Sequence, residues 1–256
     1  GPSGSGKTTS ALILEKYLDE HDCETHTLSL DNYFKPILGE DKKLLEEGKI
    51  DLESPERVDA VFLNEQLQSI VDCEPVRLPR FDFRQNDRLF REEDFIRKDG
   101  ELVILEGVHS LNPSVITIPD NECSKIYVSV RTRVSDGNIV LHPSYIRLMR
   151  RLIRDSQHRG RSFEHTISMF GSVEDGAEKY IMPFKYRATH NIDTFISYEI
   201  NAYKMFLSDG LRELKENETA KTLLRILDRA EPVPEQAIPK SSLIREFIGG
   251  SSFDYK

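Results

Sequence analysis

The spacing of apolar residues along the chain changes between a helical period and the short runs typical of strands. Helical spacing of apolar residues follows residue 9 directly and recurs from Ser54 to about Cys73 and from Pro143 to Arg159. It is found again over 174–187, with a break at Pro183, and over 202–230, with a break near Asn217. Strands are predicted at 26–30, 102–105, 125–130 and 193–197. The continuous apolar run at 102–105 is typical of a strand buried on both faces. This pattern predicts an α/β fold.

Three stretches interrupt the regular order. Residues 35–53 are polar and charged, which predicts a surface excursion, and residues 231–235 resemble a linker before a short helix at 241–247. Residues 74–90 are extended in character, and their prolines confine a strand there to an edge or to a small side sheet. We expect this last stretch to form a flap that lies over the active site.

The composition describes an ordinary soluble protein, long enough to form one large domain or one domain with a small appendage. Of the 256 residues, 38% are hydrophobic and 31% charged; the net charge of −9 argues against a surface that binds nucleic acid as a whole. Its three cysteines show no C-x-x-C spacing, which indicates neither a disulfide framework nor a zinc site but buried thiols in a reducing cytoplasm. No apolar run approaches membrane-spanning length.

The first nine residues, GPSGSGKTT, match the pattern G-x-x-x-x-G-K-[ST] at every fixed position. Glycines at these positions let backbone N–H groups come within hydrogen-bonding distance of phosphate oxygens. Lys7 adds a positive charge at the β- and γ-phosphates, Thr8 offers a hydroxyl to Mg²⁺, and the following helix points its positive dipole end at the same anion. The nucleoside triphosphate site predicted here comprises Gly1, Ser3, Gly4, Ser5, Gly6, Lys7, Thr8 and Thr9.

A glycine-rich turn that matches this pattern by chance is the alternative. The amphipathic run at 11–18 argues against it, because the run supplies the helix that the pattern requires. Such a loop normally follows a buried strand, and no residue precedes Gly1 in this sequence. We therefore expect the chain to be a fragment, with its first strand in a part outside this sequence.

Two carboxylates come directly after predicted strands, where the reacting groups of parallel α/β sheets lie. Asp31 follows the strand at 26–30, where a substrate hydroxyl could meet the γ-phosphate; an aspartate that caps a helix or turn is the alternative. Glu106 ends the run at 102–105, where it could hold Mg²⁺ directly or through water; a glutamate that caps the following segment is the alternative. We favour the metal role because the phosphate site already needs the cation.

The helix that begins at Pro143 carries arginines at 147, 150, 151 and 154 on one face. Between residues 145 and 161 six arginines accompany one acid, Asp155. We expect an anion between these arginines; a solvated basic face with acidic neighbours elsewhere is the alternative. Gly160 stops the helix and predicts the hinge of a lid, at about 143–165, that closes over phosphates.

These segments, in this order, resemble the uridine kinase and phosphoribulokinase family of P-loop kinases from residue 1 to about residue 197. The matching segments are GPSGSGKTT at 1–9, LDNYF at 30–34, FDF at 81–83 with Arg88, ILEG at 104–107, RLMRRLIRD at 147–155 and RGR at 159–161. The run TISM at 166–169 and the ending LIREFIGG at 243–250 are similar to a bacterial uridine-kinase-like branch. That branch usually carries an N-terminal region similar to the front of threonyl-tRNA synthetase, which we expect to be absent from this chain.

The resemblance implies a P-loop NTPase-type fold, a three-layer α/β arrangement of a parallel sheet with helices on both faces, plus a small flap sheet, a helical lid and C-terminal helices. It implies a kinase domain at 1–200 and a helical extension at 201–256. The residues to which it assigns roles are Asp31 as the general base; Lys7, Arg147, Arg150 and Arg154 as further catalytic groups; Arg159 and Arg161 as ATP ligands beside the loop; Thr8 and Glu106 as magnesium ligands; and Tyr33, Phe34, Glu53, Phe81, Phe83, Asn86 and Arg88 as substrate contacts.

Two departures from the family pattern concern the acceptor. The pyrimidine kinases of the family usually show Tyr-Asp-x-x-x-His in the flap, whereas this chain has Phe81 and Asn86 in place of the tyrosine and histidine that meet the base. The usual Phe-Asp-His-Pro is here LESP at 52–55, which makes Glu53 the expected ribose contact. The sequence therefore supports phosphoryl transfer but not uridine as the acceptor.

The sequence predicts an ATP-dependent, Mg²⁺-requiring, cytoplasmic transferase that phosphorylates a hydroxyl of a nucleoside or a related small molecule. A regulatory nucleotide-binding module with little turnover is the alternative, motivated by the altered flap. We expect a small-molecule substrate, no membrane association and no strong nucleic-acid binding. The helices after residue 202 are expected to pack on the core or to form a homo-oligomer interface.

Overall fold

The computed structural model describes residues 1–39, 42–43, 47, 50–83 and 85–255. Parts of the predicted surface excursion at 35–53, and residue 84 of the flap, lie outside these residues. The chain divides into two compact units. Unit 1 comprises Gly1, Ala11–Tyr127 and Gly176–His190, and unit 2 comprises Pro2–Ser10, Val128–Asp175 and Asn191–Lys256. Among the residues just given, no helix is both long and apolar enough to cross a membrane.

The described chain contains both helices and strands, with most strands in its first half and most helices in its second. The α-helices are α1 (Lys7–Asp19), α2 (Ala60–Val71), α3 (Pro143–Arg159), α4 (Phe163–Tyr180), α5 (Glu199–Glu213), α6 (Glu218–Leu227) and α7 (Arg245–Ile248). The strands are β1 (Thr25–Ser29), β2 (Pro79–Asp82), β3 (Asp87–Phe90), β4 (Leu102–Glu106), β5 (Ile126–Ser129), β6 (Val134–Asp136), β7 (Ile139–Leu141) and β8 (His190–Asp193). Short 3₁₀ helices cover Leu30–Tyr33, Pro55–Arg57, Met182–Arg187 and Glu235–Ala237.

Parallel pairing holds the strands that carry the predicted site. β1 and β4 run parallel in a register that places Thr25 opposite Leu102 and Ser29 opposite Glu106. β5 pairs with β8. The other two pairs, β2 with β3 and β6 with β7, are antiparallel hairpins. The β2–β3 hairpin is the small flap sheet that the sequence predicted.

Unit 1 buries its apolar side chains in clusters on the helices and strands around β1 and β4. One cluster contains Leu30, Leu63 and Val115, and a second contains Leu28 and Ile70. Asp59 caps α2, because its Oδ1 accepts a hydrogen bond from the N–H of Phe62 at 3.4 Å. The packing fixes the carboxyl end of β1, from which the 3₁₀ helix Leu30–Tyr33 continues.

Unit 2 packs around α3, whose start and end follow from its sequence. Pro143 occupies the first turn, where its missing N–H costs no hydrogen bond, and Gly160 ends the helix in the left-handed conformation at φ +62°. The apolar face of α3 joins α5, α6 and α7 in one cluster, in which Leu152, Tyr203 and Phe247 are fully buried. The predicted limits of α3, at residues 143 and 159, are confirmed.

The structure corrects three of the secondary-structure expectations. α4 begins at Phe163 rather than at residue 174, because Phe163, Ile167 and Phe170 pack against the core of unit 2 and override a weak local helix propensity. The hairpin β6–β7 was not predicted, and the last strand ends at Asp193 rather than extending over 193–197. The expected burial of β4 on both faces is wrong: Leu102 is 47% exposed, and within the described residues β4 pairs only with β1.

Candidate active site

Glycine is required at two positions of the loop that precedes α1. Gly4 and Gly6 have φ angles of +75° and +79°, in the left-handed region that side chains disfavour. Space is tight as well: a Cβ on Gly4 would lie 3.0 Å from the carbonyl oxygen of Arg147, and one on Gly6 would lie 2.6 Å from a methyl carbon of Leu243, which would have to move. The loop backbone therefore depends on both glycines and on the groups packed against them.

The carbonyl oxygens of loop residues 2–5 are all engaged by donors within unit 2. The donors are, in order along the loop, Lys7 Nζ (3.2 Å), Arg147 Nη1 (3.2 Å), Arg150 Nη1 (3.2 Å) and Thr194 Oγ1 (2.7 Å). The N–H and the carbonyl of a peptide group point in opposite directions. Holding the carbonyls in this way favours a loop whose N–H groups face an anion.

Arg150 is buried under this loop, with 0% of its surface exposed. Its guanidinium donates to both carboxylate oxygens of Glu199 (2.8 and 2.9 Å), to the carbonyl and hydroxyl of Thr194 (2.7 and 3.2 Å), and to the Gly4 carbonyl (3.2 Å). Burial disfavours the charged form, but Glu199 and other neighbouring groups together outweigh it, and the pKa of Arg150 is raised. All five N–H donors thus go to protein acceptors, so the geometry favours support of the loop; the catalytic role predicted for Arg150 stays a prediction.

Four further arginines lie around the carboxylate of Asp155, which is buried and 0% exposed. The guanidinium groups within 4 Å of it belong to Arg159 (3.2 Å), Arg161 (3.6 Å), Arg151 (3.7 Å) and Arg154 (3.8 Å). Two of these groups also reach the loop, because Arg151 Nη1 and Arg154 Nη2 lie 2.8 and 3.5 Å from the hydroxyl oxygen of Ser3. One carboxylate thus accepts charge from four guanidinium groups, and the cluster it forms lies beside Ser3.

The positive charge of the arginines at 147–161 is therefore neutralised in part by acidic side chains of the protein. Arg147 forms an ion pair with Glu174, and its guanidinium lies 5.9 Å from the ring centroid of Phe170. Acidic neighbours, which the sequence left open as the alternative to a bound anion, are thus present. Arg159 and Arg161 are the partly exposed members of the cluster, on either side of Gly160. Their predicted contact with ATP stays a prediction.

Two carboxylates of unit 1 follow the neighbouring strands β1 and β4. Glu106 ends β4 opposite Ser29, whose hydroxyl donates to Glu106 Oε1 at 3.0 Å. Asp31 lies two residues after Ser29, in the 3₁₀ helix that continues from β1. The paired register brings the ends of both strands to the same edge, as the sequence predicted. The carboxylate of Glu106 and the hydroxyl of Ser29 are oxygen donors, the ligand type that Mg²⁺ prefers.

Aromatic rings of the flap and of the segment after Asp31 form one cluster. The ring centroids of Phe34, Phe81 and Phe83 are 5.0–6.2 Å apart in edge-to-face arrangements. The cluster is tied to the 3₁₀ helix, because the Phe81 N–H donates to the side chain of Asn32 at 3.1 Å. Phe83 remains 64% exposed, so one ring is available for contact with another molecule.

Two other predicted substrate contacts support the backbone that carries this cluster. Arg88 donates to Asp59 at 3.0 Å and to the carbonyls of Tyr33 and Phe34 at 3.3 and 3.0 Å. Tyr33 is 1% exposed, its hydroxyl donates to Gln66 at 2.9 Å, and burial raises its pKa to about 12. Both side chains hold the segment in place, and a direct contact with substrate stays a prediction for each.

Asn86 and Glu53, the residues that depart from the family pattern, also have local partners. Asn86 makes both of its amide hydrogen bonds to the backbone of Ile37, at 3.1 and 2.8 Å. Its φ of +53° explains the residue type, because asparagine tolerates the left-handed region better than most side chains. Glu53 packs against Gly176, where an added Cβ would lie 2.5 Å from the Cβ of Glu53.

The model of the phosphoribulokinase / uridine kinase family matches residues 1–201 of this chain. The chain belongs to this family. The resemblance drawn from the segments of the sequence is thus confirmed. The other 55 residues, 202–256, lie beyond the family match.

Curated relatives agree with the family assignment, and a solved structure agrees with the fold. The uridine kinase of Lactobacillus helveticus (strain DPC 4571) is 32% identical over 187 residues, which cover 72% of this chain and 79% of that protein. A uridine kinase of Staphylococcus epidermidis (strain ATCC 12228) is 30% identical over 191 residues, with 73% and 82% covered. The solved structure of the YGR205w protein is 20% identical, covers 75% of this chain and 83% of its own, and has a TM-score of 0.51, which supports the fold.

Several residues at the site were not assigned a role from the sequence. They are Ser29, Arg151, Thr194, Glu199 and Glu246, together with Asp155, which was counted only as an acid. The arginines of α3 indicated that acidic partners exist, because buried arginines need carboxylate partners. They could not indicate which acids these are, since Glu199 is 49 residues away from Arg150 in the sequence.

Proposed function

We propose that this member of the family transfers the γ-phosphate of ATP to a hydroxyl group of a nucleoside or a related small molecule. The observation that carries the proposal is the P-loop whose four successive carbonyls are held by Lys7, Arg147, Arg150 and Thr194. A loop held in this way before the reaction can stabilise phosphate charge without reorganising. The curated relatives, which are uridine kinases, support a nucleoside-type acceptor.

In the proposed reaction, the acceptor oxygen attacks the γ-phosphorus, the bond to the β-phosphate oxygen breaks, and ADP leaves. Asp31 accepts the proton of the acceptor hydroxyl, a role for which its place after β1 qualifies it. Lys7 and the loop amides hold the phosphates, and the arginines around Asp155 offset the charge that develops on the transferring group. Thr8 and Glu106 are the oxygen ligands that would hold Mg²⁺, which supplies further charge neutralisation on the phosphate oxygens.

The acceptor side favours a molecule with a flat apolar face. The cluster of Phe34, Phe81 and Phe83 offers ring edges and one exposed ring, and the Arg57 guanidinium lies 6.0 Å from the ring centroid of Phe34. A nucleobase stacks well on such rings and needs no single hydrogen-bonding partner there. The proposal therefore includes nucleosides other than uridine and analogues with another aromatic group.

Turnover by the full-length protein tests this function. ADP release in the presence of ATP and Mg²⁺ is measured against a panel of nucleosides, sugars and sugar phosphates. Asp31→Asn should lower kcat with the best acceptor by roughly 10² to 10⁴-fold and leave ATP affinity within about threefold, because a general base acts on the chemical step. Asp94→Asn, at a surface ion pair with Arg77, is the matched control and should retain parental kcat.

Two results would contradict the proposal. Full activity of Asp31→Asn would remove the general base from the mechanism. Tight ATP binding without turnover on any member of the panel would instead favour a regulatory nucleotide-binding module.

A further inference from the structure

The ending LIREFIGG, at 243–250, belongs to unit 2 together with loop residues 2–10. It lies beyond the residues that match the family model, and the proposed reaction assigns it no role. We propose that this C-terminal segment, residues 243–255, is a positioning element for ATP that acts mainly through Glu246 on Thr9. The proposal rests on the proposed binding of ATP to the P-loop.

Glu246 contacts the first turn of α1 through Thr9, which is 0% exposed. The Thr9 hydroxyl donates to Glu246 Oε2 at 2.5 Å, and the Thr9 N–H lies 3.4 Å from the same oxygen. The hydroxyl of Tyr255 is 3.1 Å from Thr9 Oγ1, so the end of the segment meets the same side chain. Thr9 is the third residue of α1, and its N–H is one of the donors that a helix leaves unpaired at its start.

A carboxylate at this place stabilises the start of the helix in two ways. It accepts hydrogen bonds from the first turn, as capping side chains do, and its negative charge complements the positive end of the helix dipole. The capping group here comes from a residue 237 positions away in the sequence. The start of α1 therefore depends on the docked C-terminal segment as well as on its own sequence.

Other residues of the segment anchor it to the same loop. Leu243 packs so closely on Gly6 that a Cβ there would be 2.6 Å away. The ring centroid of Phe247 lies 5.4 Å from the guanidinium carbon of Arg150, the residue that holds the Gly4 carbonyl. Arg245 holds the segment to the residues before it, because it donates to the carbonyl of Ile238 at 2.8 Å, and it also donates to the carbonyl of Gly249 at 3.2 Å.

Lys7 and Thr8 lie between the two points that the segment touches, Gly6 and Thr9. These are the residues expected to meet the phosphates and the metal ion. Loss of the Glu246 carboxylate should therefore loosen the start of α1 and weaken ATP binding without removing any group that contacts ATP in the proposed mechanism. A carboxylate that instead competed with phosphate for the helix start would have the opposite effect, because its removal would tighten ATP binding.

Direct binding of Mg²⁺-ATP to the full-length protein, by calorimetry, tests the proposal. Glu246→Ala should raise the Kd for ATP roughly tenfold, and Thr9→Val should do the same, because each removes a hydrogen bond to a charged group. Glu246→Gln keeps an acceptor oxygen and should recover most of the affinity. The double variant of Glu246→Ala and Thr9→Val should be no weaker than either single variant, since both break one contact.

Three further readouts separate positioning from a general loss of structure. Glu213→Ala removes an exposed carboxylate of unit 2 and should keep the parental Kd. All variants should remain folded in thermal unfolding without nucleotide, and the KM for ATP should rise while the KM for the acceptor stays unchanged. An unchanged or lower Kd for Glu246→Ala, with the parent binding ATP, would overturn this proposal alone. A parent protein that binds no ATP would overturn the proposed function and this proposal with it.

Discussion

The P-loop and the aromatic cluster at the flap are held by different kinds of interaction. The loop in unit 2 is held by buried charges, with Arg150 and Asp155 both fully buried and paired. The cluster in unit 1 consists of rings in edge contact, and its outermost ring, Phe83, is largely exposed. Buried charge pairs fix geometry tightly because their separation is costly, whereas ring contacts tolerate small changes.

This difference fits the chemistry that each region is proposed to serve. Phosphate groups present the same charge and shape in every turnover, so a loop with fixed donors suits them. Acceptors differ in shape, and in a cluster with one exposed ring that ring can change without disturbing the loop. Of the two departures from the family pattern, the one at Phe81 and Asn86 falls in the flap and the other at 52–55, whereas the loop keeps every fixed position of its pattern.

The largest effect should follow from breaking the buried pair under the loop. Arg150→Met leaves the Glu199 carboxylate buried without its partner, which should cost roughly 3 to 5 kcal/mol of the free energy of unfolding in urea and abolish ATP binding. The double variant with Glu199→Met should recover much of the stability, because no unpaired charge remains. A single variant within about 1 kcal/mol of the parent would show that the pair does not hold the loop.

Removal of the shared carboxylate should have the next largest effect. Asp155→Asn leaves the guanidinium groups of Arg151, Arg154, Arg159 and Arg161 without their common partner. We expect a loss of about 1 to 3 kcal/mol in the free energy of unfolding and a higher KM for ATP, because the arginines no longer hold one arrangement. Asp209→Asn, at an exposed pair with Arg212, is the control and should change stability by less than about 1 kcal/mol.

A smaller effect, confined to the acceptor, is expected at the flap. Phe83→Ala should raise the KM for the acceptor by roughly three- to tenfold, in line with the loss of one aromatic contact, and leave the KM for ATP unchanged. Phe90→Ala, on the same hairpin but in contact with Phe62, is the matched control. A change in the KM for ATP of equal size would contradict the division between the two regions.

The smallest effect concerns the ion-pair cluster of His26, Lys98 and Glu101, which belongs to neither region. A hydrogen bond from the backbone N–H of Lys98 lowers the pKa of Glu101 from 4.5 to about 2, burial opposes this shift, and the side chains of Lys98 and His26 add to it. A lowered pKa stabilises the fold above pH 4.5, and this stabilisation is lost as the pH falls from 4.5 towards 2. Glu101→Gln should flatten the dependence of the unfolding midpoint on pH in that window; an unchanged profile would count against the shift.

Local patterns were sufficient for the elements that carry the site. The loop at 1–9, the start of α3 at Pro143 and the stop at Gly160 follow from residue types whose backbone preferences act within a few positions. The spacing of the arginines likewise placed them on one helix and predicted their approach to a phosphate-binding loop. The small sheet of the flap followed from prolines that restrict strand pairing.

Partners that are distant in the sequence could not be predicted in this way. Arg150 meets Glu199 across 49 positions and Thr9 meets Glu246 across 237, and no spacing rule connects residues so far apart. The sequence left acidic neighbours open as the alternative to an anion between the arginines, but it could not indicate that Glu174 is the acid that pairs with Arg147 or that Asp155 is shared by four arginines. Asn86 was read only as a replacement for a substrate-binding histidine, whereas its left-handed backbone also favours asparagine.

The transfer of phosphate itself is the most direct test of the proposed function. The full-length protein is incubated with ATP, Mg²⁺ and the best acceptor of the panel, and products are followed by ³¹P NMR for the parent and for Asp31→Asn. The proposed mechanism predicts one new phosphate monoester for each ADP formed by the parent and a strong loss of both products in the variant. ADP accompanied only by free phosphate, or equal monoester formation by Asp31→Asn, would contradict it.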